Sequence, residues 1–306
     1  MNRRTFVQNT LLTASASALA SPLVFGQSSS PITNQETFKL KFAPHDGMFK
    51  YHAGNSILDQ ITFMSKQGFT AFEDNEMRNR PVQEQEAIGK LIADLGMQMG
   101  IFVAHKIYWD KPNLTSGNLD FRKEFLNDIK TSIDVAKRIN TKWMTVVPGY
   151  VDLQKNEGFQ TANVVESLKQ ASAILEPHGL TMVLEPLNFR DHPGMFLKHS
   201  SQVYEICKAV NSPSCKILFD IYHQQIQEGN LIPNIEACWD EIAYFQVGDN
   251  PGRKEPTTGE INYKNVLKFI YEKNYDGIIG MEHGNSVKGK ESELAVIEAY
   301  KKSIDF

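Results

Sequence analysis

The sequence predicts an α/β protein, a single-domain (β/α)8 TIM barrel, on three observations. Short apolar runs alternate with amphipathic helical stretches eight times between Phe38 and Ser303. Such alternation marks parallel strands joined by helices, and eight units close a barrel. The 306 residues suit one barrel of roughly 250 residues with extensions. The first strand is followed by no Gly-rich phosphate turn, which weighs against a doubly wound open sheet.

The elements read in order as follows. Phe38–Ala43 is the first strand, and Ile57, Ile61 and Met64 give a helical stripe ended by Gly68. Phe69–Glu73 is the second strand, Gln83–Leu95 a helix stopped by Gly96, and Met97–Ala104 the third strand. Phe121–Ile139 is a long helix with Phe125, Ile129, Ile133 and Ala136 on one face. Trp143–Val147 is the fourth strand, Phe159–Leu175 a helix, and Leu180–Glu185 the fifth strand. Gln202–Val210 is helical, Lys216–Asp220 is the sixth strand, and Asn234–Trp239 a short helical piece. Ala243–Val247 is the seventh strand, Tyr263–Lys273 a helix capped by Asn262, Gly277–Met281 the eighth strand, and Glu291–Ser303 the last helix.

The first residues stand apart. Arg3 and Arg4 precede a weakly apolar, uncharged run from Leu11 to Phe25, too short for a spanning helix. Ala18-Leu19-Ala20 offers a small-residue cleavage site. Residues 1–30 thus resemble a twin-arginine export signal with its linker, which places the mature barrel, residues 36–306, in the periplasm with no membrane attachment once the signal is removed. Export of that kind carries folded proteins, often with their cofactor. The three cysteines, Cys207, Cys215 and Cys238, are too few and odd in number for a disulfide framework. A net charge of −4 excludes an electrostatic case for nucleic acid or an anionic membrane as partner.

Four strands end in an oxygen donor. The fifth ends in Glu185, the sixth in Asp220, the seventh carries Gln246, and Glu282 follows the eighth. The intervals are 35, 26 and 36 residues, each near one βα unit of about 30. Spacing near one unit puts all four at the C-terminal rim, where barrel enzymes keep their active sites. Three carboxylates side by side repel one another unless a cation neutralises them. An all-oxygen set favours Mg²⁺ or Mn²⁺ over zinc. Singly, an acid at a strand end is more often a helix cap or a surface charge. After the seventh strand, a Gly- and Pro-rich loop carries Asp249, Arg253 and Glu260. Arg253 offers a planar fork for a substrate carboxylate. His223, three residues past Asp220, either polarises a substrate oxygen or bonds its own loop. His105 and Lys106, ending the third strand, are substrate-contacting candidates, as are His45, Glu73 and Asp74; Phe49, Tyr51, Tyr108 and Trp109 are candidate pocket covers.

Glu185-Pro186-Leu187-Asn188, Asp220-Ile221-Tyr222-His223, Pro251-Gly252-Arg253-Lys254-Glu255-Pro256, Thr258-Gly259-Glu260-Ile261-Asn262-Tyr263 and Tyr275-Asp276-Gly277-Ile278-Ile279-Gly280-Met281-Glu282 resemble the hydroxypyruvate isomerase family, one of the xylose-isomerase-like barrels. The resemblance implies one divalent metal ion held by Glu185, Asp220, Gln246 and Glu282, with Glu185 and Glu282 as the acid–base pair. It implies substrate contacts from His223 and Arg253, with Glu260 supporting their loop. The implied reaction moves a carbonyl to the neighbouring carbon of a small carbohydrate or hydroxy-keto acid through an enediolate. A keto-sugar 3-epimerase and a non-catalytic sugar-binding barrel are the alternatives, and self-association is left open. A DNA-repair endonuclease of the same superfamily would need clustered zinc, many histidines and a basic groove.

Overall fold

A computed structural model describes residues 38–306, which lie within one compact unit, Gln35–Phe306. The export-signal reading falls on residues outside those described. Eight parallel strands appear: β1 Lys41–Pro44, β2 Ala71–Phe72, β3 Gln98–Met99, β4 Trp143–Val146, β5 Thr181–Leu184, β6 Cys215–Asp220, β7 Ile242–Gln246 and β8 Ile278–Met281. Six pair in the order β1-β8-β7-β6-β5-β4, and β2 pairs with β3. Single bridges, His45 to Glu73 and Val103 to Thr145, join the two sheets and close the ring.

β2 and β3 are much shorter than the apolar runs suggest. After Met99 the third run bonds both neighbours: Gly100 N donates to Phe72 O at 2.7 Å and Val103 N to Asn75 O at 3.2 Å on one side, and Thr145 N donates to Phe102 O at 2.8 Å on the other. These bonds satisfy backbone groups beyond the short regular ladder of β2 and β3. Position 100 requires glycine because the Tyr244 hydroxyl would sit 2.3 Å from a Cβ there.

The main helices are α1 Lys50–Ala53, α2 Ile57–Lys66, α3 Val82–Asp94, α4 Leu119–Ile139, α5 Glu157–Leu175, α6 Ser200–Val210, α7 Ile221–Gln227, α8 Leu231–Cys238, α9 Tyr263–Glu272 and α10 Lys290–Ser303. Caps set several starts. The Asn118 side chain accepts from Asp120 N and Phe121 N at the head of α4, and Asn262 accepts from Asn265 N at the head of α9. Asn140 and Asn211 close α4 and α6 in left-handed conformation. The sequence reading missed α7, which follows β6 with no intervening loop. Asp220 makes that possible: its Oδ1 accepts from Tyr222 N at 2.8 Å and His223 N at 3.3 Å, so the last strand residue is also the helix cap.

The barrel interior is filled by Ala43, Ala71, Ile101, Val183, Leu218, Tyr244 and Ile278, with Trp143 edge-on to Tyr244. A larger apolar layer packs between strands and helices and includes Ile129, Leu168, Val203, Phe219 and Leu267. Phe49, expected to cover the pocket, belongs to this layer and packs on Phe63 and Phe69. The three cysteines are buried free thiols. Among the described residues, no helix is long and apolar enough to cross a membrane.

Helices α3 and α4 approach closely at Gly89, where a Cβ would stand 2.2 Å from the Arg138 carbonyl oxygen. Alanine favours a helix interior over glycine by about 1 kcal/mol, yet here overpacking opposes it. Gly89→Ala is expected to destabilise the fold by about 1–3 kcal/mol. An unfolding midpoint that holds or rises would contradict this packing.

Candidate active site

β6, β7 and β8 are in register at the rim: Asp220 pairs with Gln246, and Gln246 with Gly280. The inward residue two beyond Gly280 is Glu282. The ligand atoms of Glu185, Asp220 and His223 lie within 4.8 Å of one another, and all three residues are buried. From there an arc of charge continues. His223 Nε2 is 3.6 Å from Glu185 Oε1 and 3.5 Å from Asp220 Oδ2. Arg253 Nη2 then donates to Asp220 Oδ2 at 3.0 Å and to Glu282 Oε2 at 2.6 Å. Asn75 Nδ2 donates to Glu282 Oε1 at 2.7 Å.

The electrostatics follow from this crowding. Burial, then Glu282 and Asp220, push the Glu185 carboxyl well above its ordinary value. Burial also raises Asp220, against the pull of Arg253 and two backbone N–H groups. Burial alone would depress the Arg253 guanidinium, but Glu282, Asp220 and Glu185 hold it above the usual range. Its ring-facing side covers Tyr222 at 5.0 Å. The fork expected to clamp a substrate carboxylate thus engages two protein carboxylates.

His223 has a determined tautomer. Its Nδ1 accepts from Asn188 N at 3.3 Å and from Asn188 Nδ2 at 2.7 Å. The Asn188 amide cannot be reversed, because its Oδ1 accepts from Arg190 N and Asp191 N. A bare Nδ1 leaves the proton of a neutral ring on Nε2. Burial, then Arg253, lower this imidazole to about 3, so the ring is neutral. Its Nε2–H faces Glu185 and Asp220 and has no hydrogen-bond partner among the described residues. His223 is therefore a hydrogen-bond donor into the site, not a lone-pair ligand.

Gln246 presents the complementary case. Its Nε2 donates to Glu73 Oε1 at 2.7 Å, and its buried Oε1 has no partner among the described residues.

Other residues singled out from the sequence are placed elsewhere. His105 is buried, with Nδ1 donating to Lys106 O at 2.9 Å and Nε2 accepting from Val147 N at 3.2 Å. Both ring nitrogens serve the backbone, and burial lowers the ring to about 4. It ties the third strand region to the fourth and offers nothing to a substrate. Lys106 is exposed and turns to Tyr108 and Glu124. Glu260 is exposed; its carboxylate accepts from Asn250 Nδ2 at 2.7 Å and Gln225 Nε2 at 3.3 Å, which pins the loop. Asp74 pairs with Arg80. Trp109, half exposed, stacks on His192, which lies 5.3 Å from His223 and forms a rim over the site. Asn75 and Asn188 were not assigned roles from sequence. An amide carries no charge signal, and only contact with Glu282 and His223 reveals them.

The barrel matches the family model described as xylose isomerase-like TIM barrel over residues 61–306. Hydroxypyruvate isomerase of Escherichia coli is 32% identical over 161 residues, covering 53% of this chain and 62% of that enzyme. The chain thus spans somewhat under two thirds of that relative. The 2-oxo-tetronate isomerase of Cupriavidus necator is 29% identical over 237 residues, covering 77% of this chain and 89% of that protein. Among solved structures, an AP endonuclease, family 2, from Brucella melitensis superposes with a TM-score of 0.72 at 23% identity, over 85% of this chain and 99% of that one, a likeness of fold. Since the family model spans most of the chain, including every residue of the charged arc, the protein belongs to the xylose isomerase-like TIM barrel family.

Proposed function

We propose that the protein is a metal-dependent isomerase that moves a carbonyl between adjacent carbons of a small hydroxy-keto acid or related carbohydrate. The observation that carries this reading is the pair of glutamates, Glu185 and Glu282, at the two ends of an arc that runs from buried His223 and Asp220 to half-buried Arg253. Names of the two isomerase relatives support it.

The residues fit a divalent cation. Glu185 and Asp220, whose ligand atoms lie close together, would hold it with Glu282, and the unpartnered Gln246 Oε1 would offer a fourth oxygen. An all-oxygen set suits Mg²⁺ or Mn²⁺. When bound, the cation supplies Lewis acidity toward a carbonyl and its neighbouring hydroxyl. The rest of the chemistry belongs to the chain. Glu185 takes the C–H proton, which leaves an enediolate on the substrate. His223 Nε2–H donates to a substrate oxygen as charge develops there. Glu282, oriented by Asn75 and Arg253, takes the substrate hydroxyl proton and passes it to the neighbouring oxygen, while Glu185 returns its proton to the adjacent carbon. Trp109 and His192 narrow the mouth against water. A 3-epimerase would use the same two glutamates but exchange the proton at C3; deuterium location in the product separates the two.

Glu185→Gln and Glu282→Gln are each expected to lower kcat by about 10²–10⁴-fold on hydroxypyruvate or a 2-oxo-sugar acid, with solvent-deuterium uptake falling in step. Full uptake in either variant would overturn the assignment.

The raised Glu185 and Asp220 carboxyls also set a pH dependence. A folded-state pKa above the unfolded one stabilises the metal-free fold fully below about pH 4, and that contribution is lost as pH rises through the folded value. A cation needs the ionised forms. The gain in Tm on adding Mn²⁺ should therefore grow from about pH 5.5 to about pH 7.5; a gain independent of pH would contradict the ligand set.

The paired Arg3 and Arg4 support export by the twin-arginine route. Cell fractionation of Arg3→Lys/Arg4→Lys is expected to retain the protein in the cytoplasm; unchanged export would overturn it.

A further inference from the structure

Beneath the charged arc lies a second buried acid that the reaction above does not use. Glu73, just past β2, is fully buried. Its Oε1 accepts from Gln246 Nε2 at 2.7 Å and His45 Nε2 at 2.5 Å, and its Oε2 accepts from the Tyr244 hydroxyl at 2.5 Å. Three donors from β7 and the end of β1 thus converge on one carboxylate inside the barrel. The wall is shaped around it: a Cβ at Gly280 on β8 would lie 2.0 Å from Glu73 Oε2.

This arrangement decides which way the Gln246 amide faces. With its carbonyl turned to Glu73, two acceptors would meet at hydrogen-bond distance in a buried site, which costs several kcal/mol-scale interactions at once. The NH2 group is therefore held on Glu73, and Oε1 is left buried without a partner among the described residues, on a residue whose backbone pairs in register with Asp220. We propose that Glu73 is a positioning residue that locks the Gln246 amide with its oxygen toward the cation. This inference rests on the functional reading above, in which Gln246 is a ligand. Outer groups that orient a ligand typically contribute 10–100-fold to metal affinity.

The test measures Mn²⁺ affinity of the metal-depleted full chain by titration, with free Mn²⁺ read from its EPR signal, independent of any turnover. Glu73→Gln is expected to weaken binding about 10–100-fold. In a Gln246→Leu background the same substitution should produce no further loss, because the group it positions is gone. Tyr244→Phe removes a donor from the other Glu73 oxygen. It should lower Tm while leaving the Mn²⁺ affinity within about threefold of wild type. Gly280→Ala presses on the Glu73 carboxylate without altering its chemistry, and it tests the same claim if Glu73→Gln fails to fold. Unchanged affinity in Glu73→Gln or Gly280→Ala, additive losses with Gln246→Leu, or an equal loss in Tyr244→Phe would each overturn the positioning role. Wild-type protein that binds no Mn²⁺ would instead sink the functional reading itself.

Discussion

Negative charge buried at the C-terminal rim is the constraint on which the remaining structure depends. Glu185 and Asp220 are both buried, and Glu282 lies within reach of the same cation, Arg253. Like charges so close in a low dielectric are costly unless opposed. The loop after β7 exists to deliver that opposition. Arg253 sits at φ 51°, a conformation its side chain tolerates only because the surrounding loop holds it. Asp249 is the hub of that loop, accepting from Asn250 N, Gly259 N and Ile261 N. Glu255 ties the loop to the next one through Ser286. A flexible arm would not keep a guanidinium between two carboxylates. A loop with its own buried acid does.

Three histidines illustrate how partners, not residue type, assign roles. His105 uses both nitrogens on backbone groups, and His283 uses both on Gly284 O and the Tyr300 hydroxyl. Neither has a nitrogen left over for chemistry. His223 uses one nitrogen on Asn188 and keeps the other aimed at two carboxylates. Burial keeps all three neutral at physiological pH, lowering His105 to about 4 and the other two to about 3. Only for His223 does neutrality combine with a free N–H in the site.

The site is layered. The upper arc runs from Glu185 through His223, Asp220 and Arg253 to Glu282. The lower group, Glu73 with His45, Tyr244 and Gln246, faces the barrel interior. Gln246 belongs to the lower group through its NH2, while its Oε1 is buried without a partner among the described residues. An amide suits that position because it carries a donor and an acceptor on one rigid plane. A carboxylate there would set two acids against each other; an apolar residue would leave Glu73 short of a donor.

The order of strands and helices was legible in the sequence, because apolar periodicity and caps act locally. Gly68, Gly96 and Asn262 punctuate the chain where they were expected to. The rim residues were legible too, because a barrel repeats: donors one βα unit apart must share a level. What local pattern could not carry was partnership. The need for glycine at position 100 comes from the Tyr244 hydroxyl, the role of His105 from Val147, and the orientation of Gln246 from Glu73. Each pair is separated by more than 40 positions along the chain. Residue type at a strand end is written in the sequence; which atom of that residue faces the site is decided only when distant segments close around it and claim the others.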